Sequence, residues 1–302
     1  MRTKNLILFF GLMRSGHHAT MHFLRRLFDE DKSIFLMNRV QSLRKYKSVS
    51  FKQRNGDCFP ENDILYKDKD LVLISFEERS VEKLIFNHNL WLGNGVQEKY
   101  LGEIDNIFYV TQVRDPFNLF ASRFKYRNSD VSAFPNSDDT VDSYSGIEKW
   151  KEYAVRHLRF LNKEFPFNYL SINYNKFLVS QEYREGLASF FNVPYSDTDW
   201  DKMTKEGGGS SFGDSKPDPS LLLNRWRQYK NSTFFRSLFK DKGVSYLSEE
   251  IFGKIDGTDM LYDNGNKCKY KINCKKRSEK CSDLENYSDC ELYGFFDKYL
   301  EE

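Results

Sequence analysis

Apolar and polar positions alternate in blocks along the first 260 residues, and these blocks predict strands and helices in turn. Four short apolar runs have the length and composition of buried strands. Between them, apolar residues recur three or four positions apart, which is typical of amphipathic helices. Strands are predicted at 4–10, 71–76, 106–113 and 169–174, and helices at 18–28, 81–92, 182–191, 219–229 and 233–239.

Two further helix starts are marked by local chemistry. Asp115 precedes Pro116, which places an N-cap acceptor before a proline at the first helical position. Apolar residues at helical spacing follow this pair. Ser145 and Glu148 match a capping box, and Trp150 begins an apolar face after it. We therefore expect one helix from Pro116 and another from Ser145.

The alternation of strands and helices predicts an α/β fold with a mostly parallel central sheet flanked by helices. Ligands of such sheets bind beyond the carboxyl ends of the strands. The loops at 11–18, 76–80 and 113–116 should therefore lie along one edge. Residues 1–260 fit one α/β domain, and the Lys- and Cys-rich residues 261–302 are interpreted as an appendage.

Composition excludes some classes of function. The chain has 302 residues and a net charge of +2, which is too small to indicate nucleic-acid binding. No apolar window reaches the roughly 18 residues of a membrane span, and the run at 6–13 lacks a signal peptide's cleavage site. We therefore expect a cytoplasmic protein.

The five cysteines match no established framework. Cys58 stands alone, and Cys268, Cys274, Cys281 and Cys290 crowd the tail at spacings that fit neither a CxxC zinc site nor a compact disulfide scaffold. Free thiols are one interpretation. A loose metal clip or a disulfide pair is the other.

The first strand runs into a short basic loop and a helix, which is how proteins build a cradle for an anion. Residues 11–18 read GLMRSGHH and nearly fit the phosphate loop GxxxxGK[ST]. His17 replaces the lysine, and His18 replaces the hydroxyl residue that would hold Mg²⁺. The loop therefore predicts a site for a phosphate-like anion that needs no metal.

A second anion-binding motif follows the third predicted strand. Arg114 ends that strand, and Ser122 lies eight residues later in the next helix. Arginine forms bidentate, charge-assisted hydrogen bonds with phosphate, and a serine hydroxyl can add another. A surface ion pair and an ordinary helical serine are the alternative interpretation of these two residues.

Together the two motifs resemble those of the sulfotransferases that use 3′-phosphoadenosine-5′-phosphosulfate. In that family a basic loop such as K-S-G-T-T binds the 5′-phosphosulfate, and a strand-end Arg with a Ser eight residues later binds the 3′-phosphate. The resemblance implies a P-loop-like three-layer sandwich, the same co-substrate and no metal. Its implied nucleotide contacts are Arg14, Ser15, Gly16, His17, His18, Arg114 and Ser122.

The resemblance extends over about residues 4–253. The strand and turn at 169–178 look like a later strand of the family. The glycine-serine loop at 207–213, followed by residues 223–226, looks like the loop that closes over the nucleotide, which implies a contact from Ser211. The R-K-G sequence of some family members is absent from this loop, and Lys205, Ser210 and Arg225 are further candidates there.

Transfer to an alcohol needs a group that accepts the hydroxyl proton. The resemblance places a His or a Glu just after the second strand, where this chain has Glu77 and Glu78. Glu77 is the first choice and Glu78 the second, while His88 and His17 are alternatives. Arg14 is expected to stabilise charge on the bridging oxygen.

The predicted function is therefore sulfuryl transfer from 3′-phosphoadenosine-5′-phosphosulfate to a hydroxyl acceptor, a glycan or a small alcohol. A carbohydrate is favoured because glycan-acting relatives often use Glu as the base. Two other hypotheses stay open: a non-catalytic nucleotide-binding protein on the same scaffold, and a degenerate P-loop kinase or nucleoside-triphosphate hydrolase. The sequence indicates neither a nucleic-acid partner nor an oligomeric state.

Overall fold

Within the residues that the structure describes, five parallel strands form a central sheet in the order β2-β3-β1-β4-β5. The computed structural model describes residues 4–29, 32–36, 69–77, 102–126, 143–166, 168–196 and 218–261. The strands are β1 Asn5–Gly11, β2 Ser33–Leu36, β3 Leu71–Glu77, β4 Asn106–Val113 and β5 Tyr169–Asn173. The predicted α/β class with a parallel sheet is confirmed.

Helices follow or connect these strands. They are α1 His17–Leu27, α2 Pro116–Tyr126, α3 Ser143–Leu161, α4 Tyr174–Val179, α5 Gln181–Phe190, α6 Pro219–Leu222, α7 Thr233–Ser237 and α8 Lys242–Phe252. Residues Arg225–Tyr229 and Thr258–Leu261 form 3₁₀ helices. None of the described helices is both long and apolar enough to cross a membrane.

Alternate residues of β1 face opposite sides of the sheet. Leu6, Leu8 and Phe10 belong to one buried cluster, which residues of α2, α3 and α8 complete. Ile7 and Phe9 belong to a second cluster, which residues of α1, α4 and α5 complete. Helices therefore cover both faces of the sheet, as in the expected three-layer sandwich.

Several sequence predictions need correction. Strand β2 was not predicted, because four residues are too few to show a period. Ser145 does not open α3, which begins at Ser143. The predicted strand at 169–174 ends one residue early because the Asn173 side chain accepts a hydrogen bond from Lys176 N at 3.1 Å and caps α4.

The predicted helix at 219–229 is interrupted. It divides into α6 and the 3₁₀ helix at Arg225–Tyr229. At the break, Asn224 Nδ2 donates to the carbonyl of Ser220 at 2.8 Å, so its side chain bonds back to the backbone. Helix α8 was also not predicted. The predicted helix at 81–92, the five cysteines and the appendage after residue 261 lie outside the described residues.

Strand register fixes the edge where the predicted loops meet. In β1, Gly11 pairs with Glu77 of β3, and Phe10 pairs with Thr111 of β4. The ends of β3, β1 and β4 therefore lie side by side. The loop from β1 to α1 starts between Glu77 on one side and the β4–α2 corner on the other.

Candidate functional site

The loop between β1 and α1 turns through two left-handed residues. Arg14 has a φ of 67° and Gly16 a φ of 88°, and Ser15 N donates to the carbonyl of Leu12 at 3.0 Å. Gly16 is the N-cap of α1. Glycine offers no capping side chain, so an anion at this helix end would meet backbone donors and the positive end of the helix dipole.

Both glycines of this loop allow close packing. A Cβ at Gly16 would lie 2.2 Å from Cζ of Tyr174, at a φ that L-residues seldom adopt. A Cβ at Gly11 would lie 2.9 Å from Cβ of His17. The turn can therefore sit against α4 and the end of β1 only because neither position carries a side chain.

Three consecutive carbonyls of the loop are bonded towards β4 and α2. The carbonyls of residues 13, 14 and 15 accept from Arg123 Nε at 3.1 Å, Arg114 Nη1 at 3.1 Å and Gln112 Nε2 at 2.8 Å. Both arginines and Gln112 are buried. Because these carbonyl oxygens are already hydrogen-bonded on that side, the loop keeps a fixed shape.

The two predicted anion-binding motifs meet through a side-chain contact. Arg14 Nε donates a hydrogen bond to Ser122 Oγ at 3.3 Å. Ser122 is 2% exposed and lies two turns into α2. The parallel sheet thus brings together side chains that are 108 residues apart in the sequence.

Arg114 lies at the centre of this corner and is 3% exposed. Besides the Arg14 carbonyl, it donates to the carbonyl of Leu222 at 3.3 Å, and its guanidinium lies 5.3 Å from the ring centre of Tyr174. Trp150 Nε1 donates to its backbone carbonyl at 2.8 Å. Within the described part of the chain, its Nε has no hydrogen-bond partner. A buried N–H of a charged group is costly without an acceptor, which suits an anion here.

Asp115 caps α2, as predicted. Its Oδ1 accepts from Asn118 N at 2.8 Å and from Asn118 Nδ2 at 3.0 Å. Burial raises the pKa of this carboxyl above its ordinary value, and the neighbouring charge of Arg114 offsets only part of that rise. Asn118 Nδ2 also donates to the carbonyl of Leu223 at 2.8 Å, so the corner is tied to the segment after α6.

The other side of the loop carries an imidazole and a carboxylate. Nε2 of His17 lies 3.5 Å from Oε1 of Glu77, and their side chains are 2% and 24% exposed. The His18 ring lies next to that of His17, with 4.2 Å between the centroids. One ligand atom from each of these three residues lies within 4.8 Å of the others.

The structure sorts the sequence-predicted residues into two groups. Arg14, Arg114 and Ser122 meet on the β4 side, with buried Ser15 and the Gly16 turn between them. Glu77, His17 and His18 meet on the β3 side. Glu78, His88 and Ser211 lie outside the described residues, as do Lys205 and Ser210, so their roles stay predictions.

Several residues of the corner were missed by sequence reasoning. Gln112 is a buried polar residue within an apolar strand, and this pattern is a sequence signal for it. Tyr174, which packs against Gly16, falls at the end of a predicted strand. The Leu222 carbonyl had no signal, because any residue type offers the same backbone acceptor.

Comparisons with known proteins add a structural likeness. No protein-family model matches the sequence, and no curated protein matches it. Among solved structures, it is similar to a sulfotransferase domain from the curacin biosynthetic pathway, with a TM-score of 0.44 and 13% sequence identity. The match covers 84% of this chain and 100% of that domain. At this identity and TM-score, the likeness adds no evidence about the chemistry of the site.

Proposed function

We propose that this protein transfers a sulfuryl group from 3′-phosphoadenosine-5′-phosphosulfate to a hydroxyl acceptor. The observation that carries the proposal is the junction of the two basic motifs, with Arg14 on Ser122 and Arg114 on the Arg14 carbonyl. A nucleotide with phosphates at both ends of its ribose needs two anion sites close together. We assign one such site to the loop and the other to the β4–α2 corner, which lie side by side.

Each motif is assigned one end of the nucleotide. Residues 14–18 receive the 5′-phosphosulfate through backbone N–H groups, the helix dipole and the Arg14 guanidinium. Arg114 and Ser122 receive the 3′-phosphate, and Arg114 Nε, which has no hydrogen-bond partner among the described residues, is a donor for it. Ser211 is assigned to the loop that closes over the bound nucleotide.

In the transfer step, the acceptor oxygen attacks sulfur opposite the bridging oxygen. A new S–O bond forms as the bond from sulfur to the bridging oxygen breaks, and its electron pair stays on the 5′-phosphate. Arg14 stabilises that charge, and Glu77 accepts the proton of the hydroxyl group. The products are a sulfate ester and 3′,5′-adenosine bisphosphate. Glu78, then His88 or His17, replaces Glu77 as base should Glu77 prove inactive.

This step uses no metal ion, which fits the absence of the lysine and hydroxyl residue of a Mg²⁺-dependent phosphate loop. His17 and His18 occupy those positions. Turnover of ATP that depends on Mg²⁺ would instead favour a kinase or a nucleoside-triphosphate hydrolase.

A hydroxyl group of a carbohydrate is the proposed acceptor. This assignment follows from Glu rather than His at the end of β3, which the resemblance associates with glycan-acting enzymes. Small alcohols are the second class to test.

The experiment is a transfer assay with ³⁵S-labelled phosphosulfate over a panel of glycans and small alcohols. We expect label in at least one acceptor without added metal. Glu77→Gln should lower kcat by about 10²- to 10⁴-fold, the range of general-base catalysis, and leave nucleotide affinity within about twofold.

The matched control is Glu185→Gln, because Glu185 is on α5 and hydrogen-bonded to Gln181 away from the loop. It should leave kcat unchanged. Nucleotide binding with no transfer to any acceptor would favour the non-catalytic alternative, and unchanged turnover in Glu77→Gln would assign the proton to another base.

A further inference from the structure

We propose that His17, His18 and Glu77 form a binding site for a divalent cation of the Zn²⁺ type. The site lies on the β3 side of the loop, opposite the corner assigned to the 3′-phosphate. Binding of the cation does not require the sulfuryl-transfer proposal to hold. Its predicted effect on turnover does rest on that proposal.

The separations of the donor atoms favour a small cation. A tetrahedral zinc ion with bonds of about 2.0–2.1 Å holds its ligand atoms about 3.3 Å apart. His17 Nε2 and Glu77 Oε1 already lie 3.5 Å apart. All three ligand atoms lie within 4.8 Å of one another. The proposed site therefore needs only a small movement of the donor atoms to close around the ion.

The backbone holds the ligands in this arrangement. Glu77 is paired with Gly11 in the sheet register. A Cβ at Gly11 would lie 2.9 Å from Cβ of His17, so the His17 side chain packs directly over this glycine and beside Glu77. His18 is the next residue of the same helical turn. Two parallel strands and a helix start therefore position the donors, rather than a flexible surface loop.

The donor set selects the class of metal. Two imidazoles and one carboxylate suit Zn²⁺ and its transition-metal neighbours, whereas Mg²⁺ and Ca²⁺ prefer oxygen donors. Three protein ligands leave a coordination position open for water or another ligand. Glu77 is 24% exposed, so an ion can reach the site from solvent.

Occupation of this site has a consequence for the proposed reaction. A cation bound to the Glu77 carboxylate occupies the lone pairs that would otherwise take the proton from the hydroxyl group of the acceptor substrate. Zinc should therefore inhibit turnover while leaving the buried Arg114 side free to hold the nucleotide.

The test is zinc binding by isothermal titration calorimetry on the full chain without nucleotide, followed by Co²⁺ absorption spectroscopy. Wild type is compared with His18→Gln and Glu77→Gln. We expect each substitution to raise the dissociation constant of zinc at this site at least ~100-fold. Residues that only hydrogen-bond to a metal ligand already change metal affinity 10- to 100-fold, and loss of a ligand itself should cost more. His22→Gln is the control, because His22 is on the same helix but outside the cluster. It should leave zinc affinity unchanged.

The Co²⁺ spectra distinguish this site from the cysteines of the tail. Bound Co²⁺ should show d–d bands that are lost in His18→Gln, without an intense thiolate charge-transfer band. Identical zinc stoichiometry and affinity in wild type, His18→Gln and Glu77→Gln would overturn the proposal, as would a spectrum dominated by thiolate ligation. Thermal unfolding checks that each variant folds, and should one fail, the other carries the same prediction.

A separate titration with 3′,5′-adenosine bisphosphate in the presence of a chelator tests the nucleotide site alone. Failure to bind zinc with nucleotide binding intact would overturn only the metal site. Zinc binding without nucleotide binding would overturn only the proposed function.

Discussion

The two sides of the β1–α1 loop are built differently. On the β4 side, Gln112, Arg114 and Arg123 are buried and donate to three consecutive loop carbonyls. On the β3 side, His17 meets a partly exposed Glu77 at 3.5 Å. The first side fixes the shape of the loop, and the second presents groups that can exchange a proton or bind a ligand. One short loop thus joins a side that holds its shape to a side that is proposed to carry the chemistry.

Substitutions on the two sides should differ in their effect on the free energy of unfolding. Buried donors and acceptors cost about 1–3 kcal/mol each when they lose a partner, so changes on the β4 side should affect folding as well as binding. A partly exposed carboxylate remains solvated in either state. Changes at Glu77 should therefore alter chemistry with little effect on stability.

The substitution with the largest expected effect disrupts the turn at Gly16, which both sides of the loop share. Gly16→Ala would force a left-handed alanine and place its Cβ 2.2 Å from the buried Tyr174 ring. Left-handed backbone costs roughly 1–2 kcal/mol and overpacking typically about 1–3 kcal/mol, so we expect a loss of about 2–5 kcal/mol in the free energy of unfolding. Urea denaturation measures this loss, and nucleotide binding should disappear with it.

Gly186→Ala is the matched control for this change. Gly186 is in α5, and its Cβ would meet nothing within 4 Å. Alanine there should stabilise the helix by roughly 0.5–1 kcal/mol. Equal effects of the two substitutions would contradict the packing of the loop against α4.

A substitution with a smaller expected effect tests the β4 side alone. Gln112→Met keeps the length of the side chain but leaves the carbonyl of Ser15 without its 2.8 Å donor. We expect a loss of about 1–3 kcal/mol in the free energy of unfolding, the cost of a buried unsatisfied group. Gln181→Met removes an exposed hydrogen bond to Glu185 and should change stability by less than about 0.5 kcal/mol. Equal stability of the two variants would show that the loop does not depend on β4.

The sequence predicted the sheet better than it predicted the site's surroundings. Strands β1, β3, β4 and β5 were placed within one residue at each end, because buried parallel strands are continuous apolar runs. The edge shared by Arg14 and Arg114 followed from the rule that loops at the carboxyl ends of parallel strands lie along one edge of the sheet. Strand β2 was missed because its four residues follow no pattern.

Other contacts had no sequence signal at all. The Leu222 carbonyl that accepts from Arg114 is a backbone group, so its position depends on the fold and not on residue type. The packing of Tyr174 on Gly16 depends on a helix that starts where a strand was expected. Local patterns predict elements, whereas these contacts depend on how distant elements pack.

The most direct test of the account is calorimetric binding of 3′,5′-adenosine bisphosphate to wild type, Arg114→Ala, Arg114→Lys and Arg159→Ala. Arg159 is the control, because it forms a partly exposed ion pair with Glu164 near the end of α3. Loss of a charge-assisted contact costs about 2 kcal/mol, so Arg114→Ala should weaken binding about 30-fold or more, with Arg114→Lys between it and wild type. Arg159→Ala should bind as wild type does. No binding by the wild-type protein at millimolar ligand would contradict the proposal that the two motifs form one nucleotide site.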